Sequence, residues 1–115
     1  RDMAEAGADV IIAHVGCTVG GSIGVTDAAM SLDEAATATQ AIIDAGNTVR
    51  KDVIYLLHGG PIATPADAAF INERTDAVGF VGASSLERMA VEKSLTDLTR
   101  EFKAIPLKRA NGTPT

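Results

Sequence analysis

Apolar residues along the chain gather into three short runs. Each run is closed by glycine and polar residues, and each is followed by a stretch of helical period. The runs are Val10-Ile11-Ile12-Ala13-His14, Val53-Ile54-Tyr55-Leu56-Leu57-His58 and Ala77-Val78-Gly79-Phe80-Val81. The first is apolar on both faces, a pattern that suits a parallel strand buried on both sides. Strands alternating with helices at this pitch predict three βα units around a parallel sheet.

The helical stretches carry their own start and stop signals. Residues 1–7 read as the tail of a helix, with Gly7 as its cap. The loop from Gly16 to Ala29 is long and glycine-rich. Most βα loops run about 2–6 residues, and longer ones are often functional. Ser31, with Glu34 three residues on, has capping-box spacing. Leu32, Ala35, Ala36, Thr39, Ile42 and Ile43 then form one stripe facing a sheet, with Thr39 its only polar member. Gly46 and Asn47 weaken that helix, and its end is left open between there and Arg50. Thr64 and Pro65 predict the cap and first residue of a short helix reaching Glu73. Gly82 to Arg88 reads as a tight strand-to-helix turn capped by Ser84 or Ser85. A short helix follows Ser85, and a longer one runs from Val91 to Lys103 with Leu95, Leu98 and Phe102 as its apolar stripe. Residues 108–115 are polar and read as a frayed tail.

Three units are too few to close a barrel, and Arg1 opens on what reads as a helix tail. The predicted fold is therefore α/β: the C-terminal portion of a (β/α)8 barrel, with residues 1–115 as one partial domain. A flavodoxin-like open sheet is disfavoured, because three strands leave the sheet unfinished and no helix pattern marks a switch point. Three parallel strands leave an edge and an inner face bare, which is costly in water. The remainder of the barrel, or another copy of the chain, is the expected partner along the first strand.

Composition narrows the partners. Only four of the 115 residues are aromatic, so the core must be aliphatic and rich in alanine. The net charge of −5 disfavours nucleic acid. No apolar run approaches the ~20 residues of a membrane span. A lone Cys17 excludes an internal disulfide and favours a reducing, cytoplasmic setting.

Parallel βα sheets bind ligands at the carboxyl ends of their strands. That rule selects His14 to Thr18, His58 to Pro61 and Gly82 to Ser85. Gly59 and Gly60 let the backbone approach a ligand closely. Gly82, Ala83, Ser84 and Ser85 open a helix whose unpaired amides and positive dipole end attract phosphate or carboxylate. A small anionic ligand is the expected guest. His14 and His58 are candidate general acid/base or ligand-contact residues, or else they order their loops. Two histidines without a neighbouring acid cluster make a weak metal signal. Cys17 reads as a passive small residue, and Ser84 and Ser85 as cap and phosphate contacts rather than nucleophiles. Arg88 either reaches the anion or pairs with Glu87 or Glu92. Gly20-Gly21-Ser22-Ile23-Gly24 superficially suggests a phosphate loop, and Gly20 and Gly21 join the candidate contacts. The run lacks the lysine and hydroxyl of a nucleotide-binding P-loop.

Several segments together resemble the phosphoenolpyruvate hydrolase-like family of TIM-barrel proteins. They are Gly7 to Gly16, Gly20 to Gly24, His58-Gly59-Gly60-Pro61-Ile62 and Gly79 to Arg88, and the likeness spans about residues 2–106. The resemblance implies that the three units are the last strands, 6–8, of the barrel. It further implies kinship with phosphoenolpyruvate mutases and aldolases, and lyase or hydrolase chemistry on a phosphate- or carboxylate-bearing small molecule. The metal-binding acids of the mutase-like enzymes would lie on earlier strands, so any divalent metal would be held by residues outside this chain. It also implies that such a barrel can serve as a non-catalytic binding, signalling or protein-inhibition module.

Overall fold

All three apolar runs become parallel strands in a computed structural model, which describes residues 1–106. The chain runs α1 (Asp2–Glu5), β1 (Val10–His14), α2 (Leu32–Asn47), β2 (Ile54–His58), α3 (Pro65–Asn72), β3 (Gly79–Phe80), α4 (Ser84–Glu87) and α5 (Met89–Lys103). The sheet order is β1-β2-β3. β1 pairs with β2 from Val10 opposite Ile54 to His14 opposite His58, and β2 pairs with β3 at Leu56–Gly79 and Leu57–Phe80. The chain is thus α/β with a three-stranded parallel sheet, compatible with part of a barrel. The tail at 108–115 lies outside the described residues.

β3 is shorter than the apolar run 77–81 predicts. Its backbone pairs with β2 on one side only: the amides of Val78 and Val81 donate to Tyr55 and Leu57 and prolong the contact beyond the strand proper.

Helices α2 and α3 cover one face of the sheet. Tyr55 and Leu57 face them and pack with Ala35, Ala36, Ile43, Ile62 and Ile71, and Ala13 is buried beside Leu57. Fully burying a side chain such as Ile43, Leu57 or Ile71 contributes about 1.5–3 kcal/mol. The expected capping box at Ser31 and Glu34 is present, and Thr64 caps α3 with Asp67 returning the bond. The α2 stripe buries Ala35, Ala36, Thr39 and Ile43, and the Thr39 hydroxyl finds no partner there.

α2 runs through Gly46 and ends at Asn47. The glycine is tolerated because the Tyr55 hydroxyl occupies the place where its Cβ would stand. At the lower end, Arg50 joins the segments leading into β1 and β2, meeting Asp9 at 3.1 Å and Asp52 at 3.0 Å. The Arg50 guanidinium holds the Asp52 carboxyl below its ordinary range. Gln40 ties α2 to the approach of β3, accepting from the Asp76 amide and donating to its carboxylate, each at 2.9 Å.

The opposite face corrects the expectation of two-sided burial. Val10, Ile12 and Ile54 alternate with the core positions and remain 48%, 45% and 49% exposed. The α5 stripe is likewise uncovered, with Leu95, Leu98 and Phe102 all exposed. Both surfaces have the apolar pattern of buried ones, yet their large apolar side chains stay about half exposed or more.

Candidate functional site

β1 and β2 end level with one another, so register alone brings their last residues, His14 and His58, side by side. The ring centroids are 4.9 Å apart in an edge arrangement, with 67° between the planes. His58 Nδ1 lies 2.7 Å from the Val81 carbonyl oxygen, which reaches it from the end of β3. His14 Nδ1 accepts from the Gly16 amide at 3.3 Å. Each ring thus has one nitrogen committed to backbone.

The loops above the two strands are joined backbone to backbone. Gly60 donates to the Gly16 carbonyl at 2.7 Å, and Val19 donates to the Gly60 carbonyl at 3.2 Å. Gly59 and Gly60 are buried and hold φ of 80° and 58°, a region that favours glycine. The Gly60 amide, expected to face a ligand, is instead spent on Gly16. The His-Gly-Gly turn supports the first loop from below rather than presenting both amides upward.

The first loop closes on itself where the Gly20 amide donates to the Val25 carbonyl, beside a bridge between Val19 and Val25. Its outer end is pinned to the start of α5. Arg88 donates to the Gly20 carbonyl and to Glu92, both at 3.1 Å, and Glu92 in turn accepts from the Ser22 amide at 2.8 Å. The guanidinium lies so close over Gly21 that a Cβ there would collide with it. Of the two pairings open to Arg88, the one with Glu92 is formed. Gly20 and Gly21 therefore serve to fit the loop against this ion pair.

An open cleft of about 320 Å³ lies between these parts, bounded by His14, His58, Ala83, Ser84 and Arg88 and by loop residues 16–18 and 23–25. Among the described residues, the amides of Ala83, Ser84 and Ser85 find no acceptor. Ser85 turns toward a neighbouring apolar hollow formed with Pro65, Phe80 and Leu86, and Gly82 abuts Leu86. Glu87 is exposed and stands outside the cleft wall. Cys17 is exposed and joins the wall with Thr18, Ile23 and Val25. Thr18 and Ile23 fall in the segments singled out from the sequence, whereas Val25 lies just past them; the available signal was the pair of valines flanking the glycine run.

Among the described residues, no group of three or more His, Cys, Asp or Glu is placed to hold a metal ion. No helix among them is long and apolar enough to cross a membrane.

The Ser22 amide, and to a lesser degree Arg88, holds the Glu92 carboxyl below its ordinary range. A carboxyl lowered in the folded chain favours folding above its ordinary value, and that benefit fades as pH falls through the lowered one. Acidification through this window is expected to release the loop. Amide exchange at Ser22 should then rise ahead of global unfolding, and Glu92→Gln should remove that step. A Ser22 amide equally protected on both sides of the window would refute the anchor.

A family model described as phosphoenolpyruvate hydrolase-like matches residues 1–105. Two tomato proteins, Solanum lycopersicum ToMV susceptible protein tm-1(GCR26) and ToMV resistance protein Tm-1(GCR237), are each 50% identical over 107 residues. That span is 92% of this chain and 14% of each relative. A Sinorhizobium fredii protein, y4pA, provisionally named as a transcriptional regulatory protein, is 31% identical over 105 residues, 91% of this chain and 17% of its own length.

Proposed function

Because the chain belongs to the phosphoenolpyruvate hydrolase-like family, we propose that it forms strands 6–8 of a (β/α)8 barrel whose rim cleft binds a phosphate- or carboxylate-bearing small molecule. The substrate class is of phosphoenolpyruvate or 2-oxo-acid type, and the chemistry is lyase or hydrolase cleavage of a C–C, C–P or C–O bond. One juxtaposition carries this reading. Two histidines and the unpaired amides of Ala83 and Ser84 share one cleft at the carboxyl ends of parallel strands, where such barrels bind their ligands. The adjacent Ser85 amide is also unpaired. Unpaired backbone donors at a helix start suit an anion, and imidazoles beside them suit proton transfer. The lone Cys17 fits a reducing, cytoplasmic setting.

Titrating the isotope-labelled chain with inorganic phosphate, phosphoenolpyruvate and pyruvate tests the reading. Saturable shifts are expected at the amides of Ala83, Ser84 and Ser85 and on both imidazoles. Amides that stay unmoved throughout would refute it.

A second reading keeps the pocket and drops the chemistry. It draws on the relatives at 50% identity, whose names refer to resistance or susceptibility to ToMV. A binding or protein-inhibition module would show the same shifts without turnover of phosphoenolpyruvate.

The exposed Val10, Ile12 and Ile54 are the inner wall of this barrel, to be covered by further βα units or by a second copy. The chain spans about a seventh of the length of the tomato relatives, which leaves ample polypeptide for such units in proteins of that size. In isolation the chain is expected to sediment as a self-associated species. A monodisperse monomer at tens of micromolar would count against this inner-wall assignment.

A further inference from the structure

We propose that the two rim histidines are locked in opposite neutral tautomers and so divide acid–base work between them, an assignment that rests on the ligand reading of the cleft given above. A backbone carbonyl can only accept, so His58 must carry its proton on Nδ1 to meet the Val81 oxygen at 2.7 Å. A backbone amide can only donate, so His14 must keep Nδ1 bare to receive the Gly16 N–H at 3.3 Å. The neutral rings are therefore complementary at the nitrogens that remain. His58 offers a lone pair on Nε2, and His14 offers a proton on Nε2. Neither Nε2 has a hydrogen-bond partner among the described residues, and both rings line the same cleft. Arg88, the charged side chain in that wall, is already engaged by Glu92 and the Gly20 carbonyl.

Opposite tautomers suit proton abstraction next to a carbonyl. The carboxylate of a 2-oxo acid would lie on the amides of Ala83 and Ser84. His58 Nε2 takes a proton from C3, and the C–H electron pair becomes the C2–C3 double bond as the carbonyl π pair moves onto oxygen. His14 keeps its Nε2 proton and hydrogen-bonds that enolate oxygen. The imidazolium of His58 then returns a proton to C3, and in heavy water it returns a deuteron acquired from solvent. Pyruvate enters and deuterated pyruvate leaves, with no other reactant.

The tautomers are read directly by long-range proton–nitrogen correlation on the full chain labelled with ¹⁵N-histidine. The expected spectrum places the proton on Nδ1 of His58 and on Nε2 of His14. Finding the proton on Nε2 of both rings would overturn the assignment at its root. Loss of the pyruvate methyl proton signal in D2O is the second readout. Exchange should slow by about 10²–10⁴-fold in His58→Gln. His14→Gln, which retains a donor, should exchange faster than His14→Ala. Pyruvate that shifts the Ala83 and Ser84 amides yet exchanges no faster than in buffer would overturn the division of labour while leaving the binding reading intact. Pyruvate that leaves those amides unmoved would instead sink the binding reading, and the tautomer spectrum would still decide the state of the rings.

Discussion

Gly60→Val should destabilise the chain by about 3–5 kcal/mol, combining the strain of a side chain at positive φ with an overpacked site. The glycine holds φ at 58°, and a Cβ there would run into the Val15 carbonyl, with the carbon of that carbonyl and a Val15 methyl also in the way. Most of that obstacle is backbone of the adjoining loop, which cannot swing aside as a flexible side chain would. Relief requires separating the two rim loops, and that breaks the bonds from Gly60 to Gly16 and from Val19 to Gly60. At a urea dependence of about 1–3 kcal/mol per molar, the midpoint should fall by more than a molar. Amide exchange at Val19 should rise with it. A midpoint within experimental error of the parent chain would show that the loops are not clipped together as described.

Gly46→Ala should also destabilise, by about 2 kcal/mol, although the same change inside a helix ordinarily stabilises by about 0.5–1 kcal/mol. The sign reverses because the new methyl would land on the Tyr55 hydroxyl. Tyr55→Phe removes that oxygen, which is buried without a hydrogen-bond partner, and should by itself be near neutral. Against the phenylalanine background the alanine meets only ring carbons, the nearest at 3.0 Å and 3.3 Å, and its cost should largely vanish. A denaturant-based double-mutant cycle should therefore return a coupling above about 1 kcal/mol. Additive single effects would mean that the ring does not press on the helix at this point.

What could be read in advance was local or periodic. Ser31 with Glu34 announced the start of α2, and Thr64 with Pro65 that of α3, because a cap and its partner lie within one turn. Strand ends at His14 and His58 followed from where apolar residues gave way to glycine. The end of α2 did not follow, since the reason to keep Gly46 sits on another element, at Tyr55. The ties of Arg88 to Gly20 and of Glu92 to Ser22 bridge about seventy positions, and no short-range pattern encodes them. The engagement of the Gly60 amide was hidden for the same reason: the loop it meets begins more than forty residues earlier. The Leu95, Leu98 and Phe102 stripe was legible as apolar, yet a stripe does not name what covers it.

The uncovered side of the sheet is graded along its length. Val10 stands beside Ile54, then Ile12 beside Leu56 and Gly79, and last His14 beside His58. Successive tiers are two residues apart, about 6.6 Å. This face thus changes from aliphatic to imidazole side chains within a single step at the carboxyl end of the strands. A guest held by its charged end at the rim would touch the imidazole tier and meet hydrocarbon directly beneath it. Under the ligand reading proposed above, the cost of dehydrating a charge would limit ligand depth to one tier, so that only molecules a few atoms long would use the histidines and the helix start together.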